Sequence, residues 1–210
     1  NSLQTIACEN DDITAIFVTH LLGFPAEVDD FRSIFPHAHI LEDVCESHGA
    51  VIKGGTMAGL YDVGGTFSFY FGHHMTTVEG GMVSTNNTEL YDLMRVKRSH
   101  GLARESGYFP TYKAMNPEIN PQFLFVTDGY NFRNNEIGAV LGQSQLCRLD
   151  NMIIKRNENY RSYYELLLHH QDKFYIPTWN LRMSSFCFPL ISKNIENYLK
   201  LEELLGEYKV

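Results

Sequence analysis

No two of the four cysteines, Cys8, Cys45, Cys147 and Cys187, stand in a CxxC pair. That removes the usual spacings of zinc knuckles and iron–sulfur clusters, and the plain expectation is four buried thiols with no metal. No stretch approaches the ~18 consecutive apolar residues that a membrane span needs. There is no basic run either, since 17 Lys plus Arg stand against 25 Asp plus Glu for a formal net charge of -8. A surface of that sign repels a phosphate backbone, so nucleic acid is not an expected partner. The opening NSLQTIACENDD (1–12) has no basic segment ahead of an apolar block, and a cytoplasmic protein is expected. Internal repeats and low-complexity tracts are also missing.

What is present is enough apolar material for a good core: 44% of the 210 residues are hydrophobic and 13% aromatic. ITAIFVTH (13–20) is rich in β-branched residues and reads as a strand, and VDDFRSIF (28–35) places Val28, Phe31 and Ile34 on one helical face. AHILEDV (38–44), FSFYF (67–71) and GMVST (81–85) read as further strands, and NTELYDLMRVKRSHG (87–101) as a helix stopped by Gly101. Residues 102–130 show no sustained period and are expected to form a long loop. Two helices are expected next, NEIGAVLGQSQLCRL and then DNMIIKRNENYRSYYELLLHH, with Asp150 or Asn151 capping the second. SSFCFPLI (184–191) reads as a strand that starts a second unit. Alternating strands and helices indicate an α/β domain on a mostly parallel sheet. Residues 1–148 are expected to belong to that large domain, and 149–210 to a connecting helix and the start of a smaller one. Both ends break off mid-pattern, so a piece of a longer polypeptide is expected.

Ligands of open parallel sheets gather at the carboxyl ends of the strands. That rule collects Thr19, His20, Asp43, Glu46 and the turn from Ser68 to Glu79 around one crevice. A strand-tip acid beside a Ser- and Gly-rich turn and a nitrogen base suits a heterocyclic phosphate, and pyridoxal phosphate fits the set. Each residue also has a plainer reading: Asp43 as a turn cap, Ser68 as an ordinary strand hydroxyl, Glu46 as a solvated side chain, His74 as packing. A metal held by His73, His74 and Glu79 is disfavoured, because adjacent histidines tend to point apart and no second carboxylate is spaced to help.

EDVCESHGA (42–50), FSFY (67–70) with TTVEGG (76–81), RSHG (98–101) and GYNFRNNEIGAVLGQSQL (129–146) together resemble the nucleotide-sugar aminotransferases among the fold type I pyridoxal-phosphate enzymes, and the resemblance runs over most of the chain. It implies a three-layer, aminotransferase-like large domain and pyridoxal 5′-phosphate or pyridoxamine 5′-phosphate as cofactor. By the same resemblance Asp43 would pair the pyridine nitrogen, Glu46 would face the ring hydroxyl and Ser68 would bind the phosphate. Asn131 would reach the phosphate of a partner subunit, which implies a homodimer with shared sites, and Arg133 would be structural or a substrate contact. One position departs: where these aminotransferases carry the lysine that holds the cofactor, this chain has His73. Imidazole has no primary amine to condense with an aldehyde, but it moves protons near neutral pH. The run HHMTTVEGG (73–81) resembles the deoxysugar 3-dehydratase branch of the family. No cysteine lies between Gly101 and Tyr130, so the resemblance is to the metal-free kind of that branch, which renews its amine from glutamate. The expected reaction is loss of the carbon-3 hydroxyl from a nucleotide-linked 4-keto-6-deoxy sugar, with His73 as base. An aminotransferase relative and a noncatalytic remnant of the fold are the alternatives.

Overall fold

The structure is a computed structural model that describes residues 4–6 and 12–209. Its sheet has the order β1 (Ala15–Thr19), β2 (His39–Asp43), β3 (Gly64–Ser68), β4 (Gly81–Ser84). The first three strands are parallel and β4 runs antiparallel to β3. Thr19 pairs with Asp43, Asp43 with Thr66, and Ser68 with Gly81, so the carboxyl ends of the parallel strands form one row. The sheet is therefore mixed but mostly parallel. β1, β2 and β4 are shorter than the expected runs, and β3 is displaced from the expected 67–71 to Gly64–Ser68, ending before Tyr70 and Phe71, both of which are exposed.

Between β1 and β2 lies α1 (Val28–Ile34), whose Val28 and Phe31 pack on Val18, Ile40, Val44, Ala50, Ile52 and Ala58. After β4 come α2 (Thr88–Arg98) and then residues 102–130, which are not the featureless loop expected. They hold a 3-10 turn at Ala103–Glu105, a short helix α3 (Phe109–Met115) and another turn at Pro121–Phe123. Asp92 of α2 accepts from the Ser106 hydroxyl and from the Gly107 N–H, which ties this excursion down.

One helix replaces the two expected, α4 (Glu136–Leu167), 32 residues long and unbroken at Asp150. Asp and Asn are poor but tolerated inside a helix, and without Gly or Pro at 149–151 nothing breaks the hydrogen-bond ladder. The real cap is Asn135, which accepts from the Gly138 N–H at 2.8 Å. Asn87 and Asn194 cap α2 and α5 (Ile195–Glu207) in the same way. Along α4, Ile153, Arg156, Asn157 and Tyr160 form one stripe at helical spacing, and Tyr160 is buried with its hydroxyl donating to the Pro177 carbonyl. Ile153 lies over Gly49, at φ +78°, where a side chain would collide with it. The expected strand at 184–191 is also corrected. Only Ile191–Ser192 pairs, as β6 with β5 (Phe174–Tyr175), and 183–187 is a strap outside both sheets, buried at Met183, Ser184 and Ser185.

Candidate active site

Strand alternation decides what the tip of β2 offers. Glu42 faces the interior and is fully buried, so Asp43 falls on the other face, half-buried at the row of strand ends. The buried carboxylate is answered from two sides: His20 Nε2 lies 2.9 Å from Oε1, and the Tyr61 N–H donates to Oε2 at 2.8 Å. The Ala26 N–H donates to His20 Nδ1, so that nitrogen is bare and the single ring proton sits on Nε2, aimed at Glu42. Beneath Asp43 there is thus a neutral imidazole donating to a carboxylate, in a fixed tautomer. Asp43 Oδ1 accepts from the Cys45 N–H at 3.0 Å. Burial first, and then the Asp43 carboxylate, push the Cys45 thiol up to about 12, so it stays protonated beside the strand tip.

Glu46 does not reach into solvent. Its Oε2 accepts from the N–H of Leu22, a residue held at φ +55°, and so orders the 3-10 turn Leu21–Gly23 after β1. Ser68 Oγ accepts from the Tyr70 N–H at 3.2 Å, which leaves its own hydrogen to donate.

Three imidazoles meet above the end of β3. His73 is half-buried, and its Nδ1 lies 3.3 Å from the Ser68 carbonyl. A carbonyl only accepts, so Nδ1 carries the proton and Nε2 of the neutral ring is bare. His48 meets His73 edge-on at 6.4 Å between centroids and stacks on Phe67 at 5.9 Å. It is 3% exposed, and neither of its nitrogens has a partner in good hydrogen-bond geometry, although the Ser68 carbonyl is near enough to favour its protonated form. Burial, then His73, pull His48 down to about 4. His74 is buried at 1%, with Nε2 3.1 Å from the carbonyls of both Ser184 and Ser185. Burial, then Arg156 and His48, bring it also to about 4. Both flanking rings are neutral at neutral pH, so neither adds a charge beside His73.

Asp43 and Ser68 thus close β2 and β3, His73 lies against the Ser68 carbonyl, and Glu46 sits by the turn after β1. Asn131 stands elsewhere, exposed and bridged to Ser99 after α2, and Arg133 is exposed beside it. The thiol expectation fails: Cys147 and Cys187 are exposed, Cys45 is half-buried, and Cys8 lies outside the described residues. Among the described residues no group of three His, Cys, Asp or Glu is arranged to hold a metal, and no helix is long and apolar enough to cross a membrane. His20, Glu42 and His48 were given no role by sequence reasoning. The available signal was polar residues set directly against apolar strands, where burial forces them to find partners.

The donor set suits a protonated heterocycle bearing a phosphate: a strand-tip carboxylate, a serine hydroxyl, a bare imidazole nitrogen and the unpartnered polar atoms of His48. A sequence profile of the DegT/DnrJ/EryC1/StrS aminotransferases matches residues 6–210. The chain belongs to that family. Within it, the chain is 38% identical over 161 residues to GDP-4-keto-6-deoxy-D-mannose 3-dehydratase of Yersinia pseudotuberculosis, covering 74% of this chain and 40% of that protein. It is 31% identical over 150 residues to GDP-perosamine synthase of Escherichia coli O157:H7, covering 69% and 36%. A solved GDP-4-keto-6-deoxymannose-3-dehydratase, a histidine-to-asparagine variant with bound GDP-perosamine, superposes with a TM-score of 0.84 at 26% identity, covering 99% of this chain and 55% of that one. The E. coli dehydratase with bound hydrated PLP superposes at 0.83 with 27% identity, covering 98% of this chain and 54% of that one. The fold is that of the DegT/DnrJ/EryC1/StrS enzymes, and this chain spans about half the length of those solved relatives.

Proposed function

We propose that the chain carries the site of a pyridoxamine-phosphate-dependent 3-dehydratase acting on a nucleotide-linked 4-keto-6-deoxy sugar, with GDP-4-keto-6-deoxymannose the first substrate to try. The observation that carries this is His73: its Nδ1 proton is engaged by Ser68, its Nε2 is bare, and the turn 69–80 around it contains no lysine. Glutamate would supply the amine and become 2-oxoglutarate. The sugar would lose its carbon-3 hydroxyl and end as a 3,6-dideoxy ketosugar with release of ammonia, so the carbon is reduced as glutamate is oxidised.

When bound, pyridoxamine 5′-phosphate supplies the amine that takes up the sugar ketone and a ring that accepts the electrons left behind by the departing proton. Asp43, anchored through Cys45, would hold the ring nitrogen protonated, and Ser68 would donate to the phosphate. His73 Nε2 takes the proton, while the Ser68 carbonyl stabilises the charge that then appears on the ring through Nδ1–H. His48, Tyr70 and Phe186 meet that imidazole edge-on, at 6.4, 5.5 and 5.7 Å between centroids, and would limit the water that competes for it. Asn131, exposed and flanked in sequence by Tyr130 and Phe132, whose rings stack on each other, would serve the site of a second copy in a homodimer. The substrate chemistry supports a cytoplasmic location.

The test is mass spectrometry of products from the full-length protein given glutamate and a 4-keto-6-deoxy nucleotide sugar, together with borohydride treatment of the pyridoxal phosphate form. The dehydratase reading expects a 3-deoxy ketosugar and no covalent cofactor adduct. An aminosugar that keeps its carbon-3 hydroxyl, or a borohydride-trapped lysine at the cofactor site, favours the aminotransferase reading instead.

A further inference from the structure

The strap at 183–187 belongs to no strand, yet it is fastened on every side. The Ser184 N–H donates to the Gly23 carbonyl at 2.9 Å and the Phe186 N–H to that of Leu22 at 3.2 Å, which ties it to the turn after β1. The Ser184 hydroxyl donates to the His48 carbonyl at 2.6 Å, in the loop after β2. From α4, Asn157 grips both sides of the bend: Nδ2 donates to the Met183 carbonyl at 2.7 Å and Oδ1 accepts from the Ser185 N–H at 2.9 Å. Arg156 Nη1 donates to the Phe186 carbonyl at 2.8 Å. Met183, Ser184 and Ser185 are all buried.

Against this fixed rail lies a turn whose own anchors are local, among them the Thr76 hydroxyl on the Phe69 carbonyl and the Thr77 hydroxyl on that of Glu79. The His73 N–H reaches the Tyr70 carbonyl and the Thr77 N–H reaches that of Phe69. What joins the turn to the strap is His74, whose Nε2–H is shared between the Ser184 and Ser185 carbonyls, and Phe186, whose ring meets both His73 at 5.7 Å and His74 at 5.9 Å. A side chain needed only to fill space here would be apolar, because an imidazole this deeply buried carries a desolvation penalty. We infer that His74 is a positioning residue for His73, and that the strap, held by Asn157 of α4, is the reference against which the imidazole of His73 is set. His74 itself touches no substrate. The role it supports in turnover rests on the dehydratase reading, but the position of His73 can be observed without turnover.

The experiment is ring-nitrogen NMR of the whole protein with labelled histidine, His73 being assigned by its loss in His73→Asn. In wild type His73 is expected as the Nδ1–H tautomer. His74→Phe keeps the ring volume and removes the donor, and should leave His73 averaging between tautomers; His74→Gln, which retains an N–H, should preserve the wild-type signal. Asn157→Ala loosens the strap from the far side and should move His73 in the same direction as His74→Phe. In turnover, His74→Phe should lower kcat by about 10²-fold with KM little changed, the size of loss that follows a small misplacement of a reacting group. A folded His74→Phe with an unaltered His73 signal would overturn the inference. If that variant does not fold, Asn157→Ala decides, and an unmoved His73 signal there overturns it. A shifted His73 signal in a protein that dehydrates no sugar would uphold the positioning role and sink the dehydratase reading.

Discussion

His48 and His74 titrate far below an ordinary imidazole, and the direction fixes a stability window. Each has a pKa of about 4 in the fold against an ordinary value of 6.5, so between those values the unfolded chain binds more protons than the folded one. Stability is complete above about pH 6.5 and falls as the pH drops toward 4, by on the order of 3 kcal/mol for each histidine. His48→Phe, which preserves the stack on Phe67, should flatten that fall in urea unfolding followed across the window. His73 is a different case, because its proton is used and not merely excluded. His73→Asn should keep the cofactor and the fold while losing about 10² to 10⁴ in dehydration rate, read as product formed per enzyme. At this scale the site was half legible. Asp43, Ser68 and His73 stand at strand tips, where position in the chain already announces exposure to a ligand. The pairing of His20 with Glu42 is not announced in this way, since it crosses from the end of β1 to β2 and depends on a register that no local pattern specifies.

Strands and helices were readable wherever a period ran unopposed: apolar β-branched runs for β1 and β2, and Val28, Phe31 and Ile34 for α1. The errors came where a local signal competed with a tertiary one. Asp150 and Asn151 look like a cap, but the stripe from Ile153 to Tyr160 keeps α4 continuous through packing. SSFCFPLI looks like a strand, but Ser184 and Ser185 bond to a turn, a loop and a helix and not to a neighbouring strand. The strap also explains Gly23, which sits at φ +92° with the Ser184 carbonyl lying where a Cβ would be. Gly23→Ala meets both a left-handed backbone and that carbonyl, and should destabilise the protein by at least about 2 kcal/mol in urea unfolding. A loss under half of that would mean the strap gives way easily.

For the whole molecule, Asn131 and His73 should serve different sites of a dimer. Mixed after unfolding and refolding, full-length His73→Asn and Asn131→Ala, each nearly inactive, should regain about one quarter of wild-type activity, because half of the dimers then carry one intact site. No recovery would return Asn131 to its own chain. The outer edge of the sheet has a further consequence. In the described residues β1 pairs only with β2, and its sequence AIFVT contains no lysine or proline, with Phe17 58% exposed. Such an edge is an open template for another strand. The 210-residue chain produced alone should therefore scatter light increasingly with concentration and bind amyloid dyes on standing, and Phe17→Lys should delay both by placing a charge on the growing edge.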